Sequence, residues 1–302
     1  MKIQVLVRKI LSLLLFVILS LFLISCGGGG QDNIGINYTG STERAIIDAD
    51  NAAELALGGY FGGPIDENYW NMLVLDEQSE PFAKLRTIVP NSDTDIGNCG
   101  GSKTVTVNID NTNGEFYGAG QFSDYCEDGV TTSGTVDIAG SADLNTGEII
   151  NISMESDQLT VASESSSVSI SGKILNEFGP GSLIQTMNYL IRNNSDRKVY
   201  KIEDYKITTE IITTGTVEIT FESGLYYHPV YGYVELESVT PFILYDGVYG
   251  VDSGELLVTG GAHTKALLSV INADQIEIKA DTNGDGDYDW SSGILDLPYL
   301  KF

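Results

Sequence analysis

Oxygen-bearing side chains fall at every second position of Asp281-Thr282-Asn283-Gly284-Asp285-Gly286-Asp287-Tyr288-Asp289. Alternate positions of a tight loop can turn inward together, and a glycine after the third permits a sharp bend. Such a set of hard oxygens suits calcium, which takes six to eight of them. The same residues also make a plain Asx-rich hairpin turn with solvated carboxylates. A second concentration is aromatic, in residues 226–233. There Tyr226, Tyr227, Tyr231 and Tyr233 offer contact area for a glycan or a partner protein at little entropic cost. Cross-strand aromatic pairing in a hairpin is the alternative.

Groups for covalent or acid–base chemistry are sparse. His228 and His263 are the two histidines, and neither sits in a zinc-ligand spacing such as HExxH. There is no GxSxG elbow. Cys99 and Cys126 lack a CxxC pattern or a neighbouring histidine. In an exported chain they most simply form one disulfide, closing a loop of about 28 residues worth roughly 3–4 kcal/mol in the chain-entropy picture. Two free thiols, or a redox or metal pair, are the other possibilities. A hydrolase is therefore the least favoured class, and no catalytic residue is nominated.

The acidic stretch resembles the DxNxDGxxD calcium loop of EF-hands, dockerins and thrombospondin type 3 repeats. By position, the resemblance implies side-chain ligands from Asp281, Asn283 and Asp285, a backbone carbonyl from Asp287, and Asp289 directly or through water. It covers about nine residues and no fold. The twelfth position holds Ser292 where an EF-hand has a bidentate Glu, and the flanks read as strands, 275–280 coming in and 288–295 going out.

The first residues carry a different chemistry. Lys2, Arg8 and Lys9 precede an apolar run, 10–24, that is short for a membrane span and fits a signal peptide. Leu23-Ile24-Ser25-Cys26 resembles the lipobox of bacterial lipoproteins. The resemblance implies cleavage after residue 25 and a lipid on the Cys26 thiol, as palmitate or a related acyl chain. Several chains on one residue hold a membrane far better than one. Gly27 to Gly30 form a flexible tether. Gly27 stands where the enterobacterial sorting rule puts Asp for inner-membrane retention, which favours the cell outer membrane.

The remaining residues must position these groups. The chain has 302 residues, 42% of them hydrophobic, with 34 glycines and a formal charge of −26. Losing the leader removes three positive charges and no negative one, so no basic patch is available for nucleic acid. Ser41 or Thr42 can cap a helix carrying Ala45, Ile46, Ala49, Ala52, Ala53, Leu55 and Ala56, ended by Gly58-Gly59. A second short helix or loop runs from Tyr69 through Leu75 to Lys84. From Lys103 onward the texture is β, with runs at 104–109, 115–125, 134–139, 148–154, 158–162 and 167–174. Residues 183–191 read as a short helix or a crossing strand.

An internal similarity pairs Asp124-Tyr125 with Asp204-Tyr205 and residues 134–138 with 215–219. The expected organisation is a leader at 1–25, lipidated Cys and tether at 26–40, and a β-rich domain at 41–302. Within it come a helical part (41–90), repeat one (about 103–175), repeat two (about 195–262) and a C-terminal hairpin with the acidic loop (263–302). The expected fold is mainly β, an antiparallel barrel or curved half-barrel built from a duplicated meander with an N-terminal helix. Two separate sandwiches are the alternative. The expected function is a non-enzymatic, lipid-anchored envelope protein that holds a hydrophobic ligand or plays a structural role. A calcium-stabilised adhesion or glycan-binding module comes second.

Overall fold

The computed structural model describes residues 35–64, 91–245 and 251–296. The leader with Cys26, the glycine tether and the helix expected from Tyr69 lie outside them. The described residues hold one α-helix, α1 (Ala52–Phe61), and fourteen strands. These are β1 (Asn91–Ile96), β2 (Gly100–Ile109), β3 (Glu115–Glu127), β4 (Val130–Ala142), β5 (Ile149–Ala162), β6 (Ser167–Gly179) and β7 (Ser182–Asn193). They continue as β8 (Val199–Thr213), β9 (Thr216–His228), β10 (Gly232–Tyr245), β11 (Ser253–Thr259), β12 (Lys265–Asn272), β13 (Gln275–Asp281) and β14 (Trp290–Asp296).

All fourteen form one sheet in sequence order, each antiparallel to the next. The sheet does not close, so it is a curved half-barrel and not a full barrel. Alternation gives the sheet two unlike faces. One face carries the buried side chains, such as Val136, Ile138, Ile152, Met154, Ile174, Met187 and Ile202. The other face is polar, with Lys206, Thr208, Glu218 and Glu222 among its residues. Bulges bend the long strands further. In β3 and β8 the pairing slips beside Asp124 (φ 50) and Asp204 (φ 48), and each is followed by a buried tyrosine, Tyr125 or Tyr205.

Two open alternatives are decided and two expectations are corrected. The two-sandwich alternative fails, because β6 and β7 pair without a slip from Val168↔Asn193 to Gly179↔Ser182, across the supposed junction. Residues 183–191 are strand, not helix; Pro180-Gly181, with Gly181 at φ 80, supplies the turn that sends β7 back along β6. The runs 148–154 and 158–162 belong to one strand, β5, joined through an irregularity between Ser156 and Leu159. The helix starts ten residues later than Ser41 or Thr42 and passes through Gly58-Gly59 to a left-handed cap at Gly62 (φ 72).

The reason for the last correction is competition from the sheet. Glu43 and Ala45 hydrogen-bond along Tyr233 of β10: Tyr233 N–H donates to Glu43 O at 2.9 Å and Ala45 N–H to Tyr233 O at 2.8 Å. Ala45 O then accepts from Gly261 N–H, and Ile47 N–H donates to Thr264 Oγ1. A Cβ on Gly58 would run into the Tyr226 ring and one on Gly59 into Leu236, so these glycines mark close packing and not a helix end. α1 packs against β9, β10, β11, β12 and β13.

At the far edge, Cys99 and Cys126 form the expected disulfide, with Cα atoms 5.1 Å apart. It ties the β1–β2 turn to the end of β3, where Cys99 N–H also donates to Cys126 O at 3.2 Å.

Candidate functional site

Two sets of polar groups stand out on the buried face of the sheet. The first is a tyrosine clamp on the end of α1. The last carbonyls of a helix have no intrahelical donor. Here Tyr205 of β8 donates its hydroxyl to Gly59 O at 2.7 Å, and Tyr189 of β7 to Gly62 O at 3.0 Å. Tyr226 of β9 reaches Gly63 O at 3.5 Å. Burial pushes the Tyr205 and Tyr226 hydroxyls well above their ordinary range, so both act as neutral donors. Tyr60, Phe221 and Phe242 complete the contact, with ring centroids 5.2–5.8 Å apart.

The second set lies on β6, β7 and β8. Asn176, Gln185 and Thr209 are 0%, 3% and 2% exposed. Asn176 is directly opposite Gln185, whose Nε2 donates to Asn176 Oδ1 at 2.8 Å. Gln185 is opposite Ile207, two residues from Thr209. Asn176 Nδ2 and Thr209 Oγ1 have no hydrogen-bond partner. Their register neighbours are apolar: Ile152 beside Asn176, and Leu183 and Ile219 beside Thr209. A buried donor without an acceptor costs about 1–3 kcal/mol, so two in one neighbourhood stand out against the fully served tyrosines. Thr132 Oγ1, on β4, is a third such atom, away from this group.

The four tyrosines nominated from sequence are not brought together. Tyr226 is in the core. Tyr231 stacks on His228 with centroids 4.5 Å apart. Tyr227 and Tyr233 lie side by side, half-buried, with centroids 5.2 Å apart; Tyr38 meets Tyr227 edge-on at 5.6 Å. Lys201 Nζ sits 4.5 Å over the Tyr227 ring, and Glu203 accepts the Tyr227 hydroxyl at 2.7 Å. This is a cross-strand aromatic group whose principal ring is already covered by a cation.

His228 is buried, and both its ring nitrogens are in use. Nδ1 accepts from Val230 N–H at 3.2 Å and Tyr231 N–H at 3.3 Å, which places the proton on Nε2, donating to Glu54 Oε1 at 3.0 Å. That network closes the β9–β10 turn onto the first turn of α1 and leaves no free nitrogen for a substrate. Desolvation lowers the His228 pKa, against an opposing pull from Glu54.

In the acidic loop every predicted oxygen ligand but one holds a bond within the loop. Asp281, fully buried, accepts from Gly284 N–H at 2.7 Å through one oxygen and from Gly286 N–H at 2.9 Å through the other. Asn283 accepts from Asp285 N–H and Asp285 from Asp287 N–H, as successive Asx turns. Asp289 accepts both the N–H and the hydroxyl of Thr282, which holds its carboxyl below the usual range. Asp287 contributes its amide. Lys265 Nζ lies 4.0 Å from Asp281 Oδ2 and donates to Gly286 O at 3.1 Å. A calcium ion here would compete with that ammonium and with the loop's own amides. Among the described residues no group of three or more His, Cys, Asp or Glu is gathered as a metal centre.

No protein-family model, no curated protein and no solved structure matches the chain. The sequence reading missed Asn176, Gln185 and Thr209. Their signal is phase: each stands in the apolar register of its strand, Asn176 between Ile174 and Phe178, Gln185 between Leu183 and Met187, Thr209 between Ile207 and Ile211.

Proposed function

We propose that this chain is a non-enzymatic lipoprotein of the bacterial envelope, held at the outer membrane through Cys26, whose half-barrel binds a hydrophobic or amphipathic molecule. The observation that carries the reading is the polarity of the sheet. Its concave face is apolar along most of its length, and its outer face carries charges such as Lys206, Glu218 and Glu222. That is the reverse of a membrane-spanning barrel, whose outer face must be apolar. A soluble half-barrel on a tether at a membrane is suited to holding what the membrane supplies. His228, with both nitrogens engaged, favours the non-enzymatic side of the reading. Calcium at Asp281, Asn283, Asp285, Asp287 and Asp289 is not required by it, since Lys265 already places a positive charge at the loop.

The test is metabolic labelling with an alkyne fatty acid in a bacterial host, followed by membrane fractionation. The wild-type chain is expected to carry label and sediment with outer-membrane markers. Cys26→Ala is expected to lose both. Label that survives in Cys26→Ala would remove the anchor from the proposal.

A further inference from the structure

Asn176 Nδ2 and Thr209 Oγ1 are two unpartnered, fully desolvated polar atoms on one face of neighbouring strands. We infer that they are the polar contacts of a binding site for an uncharged acyl ester. Asn176 Nδ2 would donate to the ester carbonyl, and Ile152, Leu183, Ile207 and Ile219 would line its hydrocarbon chain. This inference rests on the proposed binding function and names its ligand class.

Geometry sets the scale. Thr209 is two strands away from Asn176 and two residues along, a Cα separation of about 12 Å at ordinary strand spacings. One lipid headgroup region spans that. Gln185 lies between them and fixes the Asn176 amide, because its Nε2 holds Asn176 Oδ1. The amide therefore presents its N–H and not its oxygen, so the ligand atom it meets must be an acceptor. The Thr209 hydroxyl accepts or donates, which suits a second ester oxygen or an alcohol.

Charge selects against a free fatty acid. A carboxylate taken into this face would need a cation beside it. Among the described residues the buried basic side chain is Lys103, and it is committed to Asp95 at 3.3 Å and to the Tyr125 ring at 4.8 Å, on β2. The buried hydroxyls of Tyr189, Tyr205 and Tyr226 are taken by α1. The unpartnered pair lies about four to five residues from the turns at Pro180-Gly181 and at 214–215, at one end of the sheet.

The experiment uses the purified full-length chain in a maltoside detergent with methyl palmitate labelled with carbon-13 at its carbonyl. Saturable binding with a downfield carbonyl shift is expected, and palmitate at pH 7 is expected to bind at least tenfold more weakly. Asn176→Leu and Thr209→Val should each weaken the ester about tenfold, the worth of one hydrogen bond. Thr209→Ser, which keeps the hydroxyl, should bind as wild type does, separating hydrogen bonding from packing. Ester and palmitate binding equally, neither binding, or both apolar variants binding like wild type would overturn the inference and leave the two atoms to buried water. A chain that carries its Cys26 lipid yet ignores the ester would cost the ligand assignment alone; the anchored reading fails only in the labelling experiment.

Discussion

Two parts of the same concave face handle buried polarity in opposite ways. Where α1 lies, the hydroxyls of Tyr189, Tyr205 and Tyr226 each meet a carbonyl at the helix end and join helix to sheet. On β6 to β8, Asn176 and Thr209 are as deeply buried and meet no acceptor. One sheet with one alternation pattern thus contains a region whose polar groups serve the fold and a region whose polar groups cost it stability. Groups of the first kind explain themselves. Groups of the second kind point outside the folded chain.

The largest expected break in this contrast comes from the closest packing in the helical region. Gly58 has no room for a side chain, because Tyr226 fills the space a Cβ would need. Gly58→Val must push the ring aside, lose the Tyr226 contact with Gly63 O, or shift α1. Overpacking of this kind costs about 1–3 kcal/mol, and the better helix propensity of Val over Gly offsets only a small part of it. Urea unfolding should show a lowered midpoint with the slope unchanged. A midpoint equal to wild type would mean that α1 is not held where the tyrosines reach it.

A paired comparison sharpens the contrast and has the next largest effect. Tyr205→Phe deletes a donor that is used and leaves Gly59 O with only the longer bond from Gly62 N–H at 3.3 Å, for an expected loss of about 1 kcal/mol. Thr209→Val deletes a donor that is not used and keeps the shape, so the ligand-free chain should gain up to about 1 kcal/mol. The signs, more than the sizes, decide. If Thr209→Val also destabilises, Thr209 has an acceptor in solution and the two regions are alike.

Much of this fold can be read in the chain, and the part that cannot has a definite cause. The runs of Val, Ile, Thr and Tyr between Gly and Asn turns mark the strands, since alternation is a local property. The turn ending at Gly114 (φ 78) fills the gap between the runs 104–109 and 115–125. The Cys99–Cys126 bond joins the two cysteines that follow Cys26, the pairing expected from the sequence. The start of α1 is not local. Residues 43–47 have helical spacing, yet they pair with Tyr233, nearly two hundred positions away, and a long-range partner overrides local preference. The tyrosine-rich run hides its division for the same reason, since Tyr226 and Tyr227 are neighbours that point to opposite faces. Asn176 and Thr209 become conspicuous only once the register is known, because a polar residue on a strand is unremarkable until its face is seen to be buried.

The smallest effect tests the helical region from its other end. His228 joins the β9–β10 turn to Glu54 in the first turn of α1, and burial holds its pKa below the ordinary value of 6.5. Above pH 6.5 the ring is neutral in both folded and unfolded chains and contributes no pH dependence. As pH falls through 6.5 the unfolded chain takes up a proton that the folded chain refuses, so stability falls until the lowered folded value is reached. Glu203 and Glu222, held below 4.5 by their hydrogen bonds to Tyr227 and Lys206, lose their contribution only as pH falls further, through and below that value. Between pH 6.5 and 5 the slope is therefore expected to report His228, and His228→Gln should flatten it while lowering stability at pH 7.5. Hydrogen exchange at pH 5.5 should speed up in α1 and the β9–β10 turn and leave β6 and β7 unchanged. Equal loss of protection in both places would mean that the helix and the unpartnered strands open as one unit, and that the division between them is chemical and not mechanical.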